Sequence, residues 1–81
     1  MTKIKTIDYK PTLKEMQKFV GGYIEVVYLN DKEVMIIDED GKGKGKPVNA
    51  EATIRATRNK AIFNNDWIAG DVLIMPEDYL D

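Results

Sequence analysis

Leu13, Met16 and Val20 recur at the spacing of one helical face, between Thr12-x-x-Glu15 and the pair Gly21-Gly22. In Thr12-x-x-Glu15 each side chain satisfies a backbone donor of the other residue, a capping box that starts a helix. Gly21 suits the left-handed position that ends one, and Gly22 lets the chain turn directly into the next element. Tyr23 to Leu29 is dense in β-branched and aromatic residues and predicts a strand. Asn30-Asp31-Lys32 predicts a short turn and Glu33 to Asp38 a second strand, together an antiparallel hairpin. Upstream, Ile4, Thr6 and Asp8 alternate with Lys5, Ile7 and Tyr9, a weak first strand that Pro11 breaks. Downstream, Asn49 is a good N-cap and Glu51 favours the first turn of a second helix. Its predicted inner stripe is Ala50, Ile54, Thr57 and Ala61. Asn64-Asn65-Asp66 reads as a turn, and Trp67 to Met75, interrupted by Gly70, as the last strand.

The resulting order, β-α-β-β-α-β, predicts an α+β, ferredoxin-like two-layer sandwich with two helices on one face of an antiparallel sheet. Between Phe63 and Ile68 there is room for a short extra strand. Both hairpin strands carry apolar residues on both faces: Ile24, Val26 and Tyr28 against Val27 and Leu29, then Val34 and Ile36 against Met35 and Ile37. With helices on one face only, the other face is too apolar for water, which predicts a homo-oligomer.

At 81 residues the chain makes one small domain, 1–81, expected to bury about 60% of its unfolded surface, which again favours a partner subunit. A flexible Gly-Lys loop spans 40–47 and an acidic tail 76–81. The content, 43% hydrophobic and 32% charged, fits a globular chain. No apolar run is long enough to span a membrane. The Met1-Thr2-Lys3-Ile4 start carries no signal-like apolar stretch, so the expected location is the cytoplasm. A net charge of −2, with acids and bases interspersed, argues against duplex DNA as a partner. Cysteine, histidine and serine are all missing. That removes thiolate and Ser-His-Asp catalysis and most transition-metal sites, so neither an enzyme nor a cofactor or metal protein is expected.

Val20-Gly21-Gly22-Tyr23-Ile24-Glu25, followed by Asp38-Glu39-Asp40-Gly41, Pro47-Val48-Asn49 with Ala52, and Ile68-Ala69-Gly70-Asp71-Val72, resembles a phage-encoded family of small proteins of unknown function. The resemblance runs from Leu13 to Leu73. The lysine-rich loop departs from the family pattern. The resemblance implies a phage accessory protein, not a virion part, working in the host cytoplasm. By analogy with other small phage proteins it implies counter-defence, including sequestration of cyclic or ADP-ribose-derived nucleotide signals.

On that reading the chain binds a phosphorylated nucleotide at a subunit interface, with Gly22, Tyr23, Glu25, Asn49, Arg55 and Trp67 as lining residues. Lys42, Lys44 and Lys46 would form a phosphate loop leading into the helix at Asn49, where free N–H groups and the helix dipole favour anions. It is not a P-loop, because Pro47 stands where Ser or Thr is needed. Each of these residues also has a structural reading. Asn49 is sufficient as a helix cap, the Gly-Lys run as a solvated hairpin loop, Arg55 and Arg58 as a solvated helix face. Tyr23, Tyr28 and Trp67 would stack a base or pack in a core or interface. Glu25, in an apolar strand, needs a partner such as Arg55 if it faces inward. Asp38, Glu39 and Asp40 lack the frame of a calcium loop. The alternative function is a protein–protein inhibitor or adaptor that acts on a host enzyme through a sheet edge or exposed face, without a small-molecule ligand.

Overall fold

A computed structural model describes residues 2–80. The strands are β1 (Ile4–Thr6), β2 (Ile24–Tyr28), β3 (Glu33–Asp38) and β4 (Val72–Pro76); the helices are α1 (Leu13–Val20) and α2 (Ala50–Arg58). The predicted element order holds, but the sheet does not have the predicted arrangement. Its strand order is β1-β4-β3-β2, with β1 parallel to β4 and the other pairs antiparallel. The sheet is therefore mixed, not the antiparallel ferredoxin-like sheet expected.

The helices also divide between the two faces. On one face Met16 and Val20 of α1 pack on Val34, Ile36, Leu73 and Met75. On the other, Ala52 and Ala56 of α2 pack on Val27, Met35, Ile37, Val72 and Ile74. Side chains alternate across a strand, so these two sets define opposite sides of β3 and β4. The physical reason is visible in the strands themselves. Val34 to Asp38 and Val72 to Met75 are continuous buried runs, the pattern of strands covered on both sides. The apolar second face that suggests self-association in the sequence is covered by α2 within the chain.

Local signals shape the elements. Glu15 N–H donates to Thr12 Oγ1 at 3.1 Å and Thr12 N–H to Glu15 Oε1 at 3.0 Å, the capping box in full. Gly21 ends α1 at φ 86°, its N–H bonded to Gln17 O. The hairpin turn is held by Asn30 Oδ1, which accepts from Lys32 N–H and Glu33 N–H, each at 2.8 Å. The inner face of α2 is Ala52 and Ala56, while Ala50 and Ile54 of the predicted stripe are exposed. Asn49 fixes the helix rotation by burying its own side chain. The last strand starts later than predicted, at Val72. The segment before it makes a single bridge, Val48 with Ala69, and Gly70 takes φ 86°. No extra strand forms between Phe63 and Ile68. Pro76 completes β4, and Glu77–Tyr79 of the predicted tail form a 3-10 turn; Asp81 lies outside the described residues.

After α2 the bonds Lys60 N–H to Thr57 O (3.0 Å) and Ala61 N–H to Ala56 O (2.8 Å) form a Schellman stop. Its left-handed residue is Lys60, at φ 58°, where glycine is usual. Lys60→Gly is expected to stabilise the fold by about 0.5–1 kcal/mol. A raised urea midpoint at unchanged slope is the check; an unchanged or lowered midpoint would show that the lysine side chain offsets its backbone strain.

Candidate binding surfaces

Asp38 ends β3 with its side chain buried, and an amide and two ammonium groups converge on its carboxylate. Its Oδ1 accepts from Asp40 N–H at 2.9 Å, which sets the turn out of the strand. Its Oδ2 lies 2.8 Å from Lys44 Nζ and 2.8 Å from Lys46 Nζ. The same ammonium groups cap the end of α1: Lys44 donates to Gly21 O at 2.9 Å, and Lys46 to Val20 O. Cations at the negative end of a helix dipole are favourable, and here one buried carboxylate holds both in place. Burial pushes the Asp38 carboxyl up. Hydrogen bonds from Lys44 and Lys46 and from the Asp40 amide, with the charge of Lys46, outweigh that and hold it well below the usual carboxylate range.

This arrangement explains the second glycine, which a helix stop alone does not require. A Cβ on Gly22 would sit 2.8 Å from Asp38 Oδ1 and closer still to Lys44 Nζ. Gly21, Gly22 and the Gly-Lys loop are therefore parts of one contact, although β2 and β3 intervene between them in the chain.

The third loop lysine is engaged elsewhere. Lys42 pairs with Asp66 and lies 4.3 Å from the centre of the Trp67 ring. The Lys42 hydrogen bond and the Trp67 amide lower the Asp66 carboxyl. Asn49 is buried; its Oδ1 accepts from Ala52 N–H at 3.1 Å, and its Nδ2 donates to Lys3 O at 3.1 Å and Gly70 O at 2.9 Å. Arg55 pairs with Glu51 one turn away, at 2.7 Å, and not with Glu25. Glu25 is exposed on β2.

The residues expected to line one ligand site thus do not converge within a subunit. Gly22 and Tyr23 border a cleft of about 570 Å³ with Gln17, Asp38, Glu39, Asp40 and Lys44. Glu25 borders a separate groove of about 550 Å³, with Val27, Tyr28, Lys60, Phe63 and Asp66 among its lining residues. Asn49, Arg55 and Trp67 border neither. Sequence reasoning passed over Lys60 and Phe63. Phe63, 82% exposed in a polar turn, carries a signal that was available: a large aromatic side chain where no periodic element buries it. Lys60 carries none.

Among the described residues no group of three acidic, histidine or cysteine side chains is placed to hold a metal ion, and no helix is long and apolar enough to cross a membrane. The family model of a domain of unknown function, DUF3846, matches residues 1–79. The chain belongs to this family. No curated protein and no solved structure matches it. The DUF3846 match covers both lysine clamps, the Asn49 anchor and both grooves, so each lies within the family domain.

Proposed function

We propose that this DUF3846 chain is a non-catalytic binding protein that inhibits or adapts a host protein, in the phage-accessory, counter-defence setting implied by the resemblance noted above. The observation that carries the reading is the charge of the Tyr23 cleft. Glu39 and Asp40 are exposed at its rim, while the buried Asp38 engages both Lys44 and Lys46 and so occupies the cations nearest the cleft. Such a rim repels phosphate and favours a basic protein segment. Tyr23, 72% exposed, supplies the aromatic anchor against which a guanidinium or ammonium group stacks. The polar groups of Asn49, Arg55, Lys42, Lys44 and Lys46 are meanwhile engaged inside the chain, which weakens the nucleotide-sequestration alternative.

The test is retention of host protein on immobilised chain, compared with Tyr23→Ser and with Leu13→Ser as an exposed apolar control. A retained protein that elutes with salt, is lost with Tyr23→Ser and survives Leu13→Ser is the expected result. Strong thermal stabilisation by a cyclic or ADP-ribose-type nucleotide would overturn the reading in favour of sequestration.

A further inference from the structure

The two edges of the sheet are built differently. β1 is three residues long, with Lys5 inside it and Lys3 just before it, and shortness and lysines both keep an edge strand from pairing with another chain. β2 is five residues long and carries no lysine, proline or bulge; its pairing with β3 runs unbroken from Ile24 opposite Asp38 to Tyr28 opposite Val34. Glu39 N–H to Tyr23 O and Leu29 N–H to Glu33 O frame that ladder, each at 3.0 Å. Antiparallel bonding alternates, so Glu25 and Val27 exchange bonds with β3 while the main-chain groups of Ile24, Val26 and Tyr28 point away from the sheet. No turn or loop hydrogen bond among the described residues reaches those three.

We propose that β2 is the seam of a two-fold dimer, in which β2 of a second copy adds antiparallel and joins two four-stranded sheets into one. A two-fold axis at Val26 matches outward-facing positions only. Val26 meets Val26 of the second copy, and Ile24 meets Tyr28, an aromatic–β-branched pair of the kind that stabilises sheets. Glu25 falls opposite Val27 of the second copy and never opposite itself, so no like charges meet across the seam. Val27 lines the groove beside β2 together with Lys60 and Phe63. The second copy's Glu25 therefore enters that groove beside Lys60. Neither Glu25 nor Lys60 has an ion-pair partner among the described residues of its own chain. Tyr28, 59% exposed, and Phe63 would lose that exposure at the seam. A lysine at the left-handed position after α2 then has a reason: its ammonium group completes the contact.

Sedimentation equilibrium over a wide range of protein concentration tests this. The unmodified chain is expected at twice its chain mass. Val26→Pro removes an N–H that bonds nothing inside the chain, and is expected at single-chain mass with an unchanged circular dichroism spectrum. Should Val26→Pro fail to fold, Tyr28→Lys carries the same expectation from an exposed position. Lys60→Glu is expected to weaken the dimer, and Glu25→Lys combined with Lys60→Glu to restore it. A chain that stays at single mass throughout, or a Tyr28→Lys variant that dimerises as the unmodified chain does, overturns the proposal. Host-protein retention that depends on Tyr23 reads the other site, so the two proposals fail separately.

Discussion

Replacing Asp38 by asparagine is expected to lower stability at neutral pH by about 2–3 kcal/mol. Asparagine keeps the shape and can still accept from the Asp40 amide, but its amide nitrogen faces two ammonium groups that lose their counter-charge. Lys44 and Lys46 are partly exposed and can turn to water, so the loss falls short of that for a fully buried pair. The pH dependence separates this cause from simple misfit. The carboxyl sits well below its ordinary value in the folded chain and returns to about 4 when unfolded. Its contribution is therefore fully present above the unfolded value and is lost as pH falls through the folded one. The difference between Asp38→Asn and the unmodified chain should narrow on acidification from neutral pH to about 3 in paired urea titrations. Asp66 is lowered too, but it is present in both proteins and cancels in the comparison. A gap that widens in acid would sink the account of Asp38 as a stabilising anion.

The second large effect is expected at Asn49, and its signature is a failure of the conservative change. Aspartate and asparagine are about equal as helix N-caps. Were capping the whole role, Asn49→Asp would cost almost nothing. The buried Nδ2 instead donates to Lys3 O and Gly70 O, tying the approach to β1 and the approach to β4 to the start of α2. A carboxylate there would face two carbonyl oxygens with no donor to offer. Asn49→Ala loses the cap and leaves Gly70 O without its donor, while Lys3 O keeps the Val72 amide. Asn49→Asp keeps the cap but buries a carboxylate against both carbonyls, so each variant is expected to cost about 2–4 kcal/mol. Chemical denaturation of the two variants measures it; an Asn49→Asp variant as stable as the unmodified chain would reduce Asn49 to a cap.

What the sequence displayed was whatever local bonding decides. The capping box at Thr12 and Glu15, the stop at Gly21, the Asn30 turn and the Asn49 cap each close within a few residues, and each is found where the pattern puts it. The distribution of helices over the sheet is not local. The continuous apolar run of β3 does announce cover on both faces, but a second helix and a second subunit answer that demand equally well in the pattern. On α2 two stripes of small residues compete, and the helix is too short for periodicity to choose Ala52 and Ala56 over Ala50 and Ile54. Of the candidate site, Gly22, Tyr23 and Lys44 do come together, because the loop folds back on the end of α1. The other members were chosen for their chemistry one at a time. Asn49, Arg55 and the loop lysines all find partners inside the chain, and those partners are set by tertiary contacts that residue type does not reveal.

The order of strands across the sheet sets a timetable for synthesis. β4 is the last strand in the chain, yet it lies between β1 and β3 and contributes to both cores. A nascent chain that has emerged only through α2 owns both helices and the hairpin, but each helix finds only β3 and β2 to pack on, without the β4 side chains that complete both cores. Domains acquire their structure during translation only when their parts are available together. Until β4 is available, both cores lack the side chains it supplies. A chain cut short before Val72 would lack the strand that both cores share, and so would not be a smaller version of the protein.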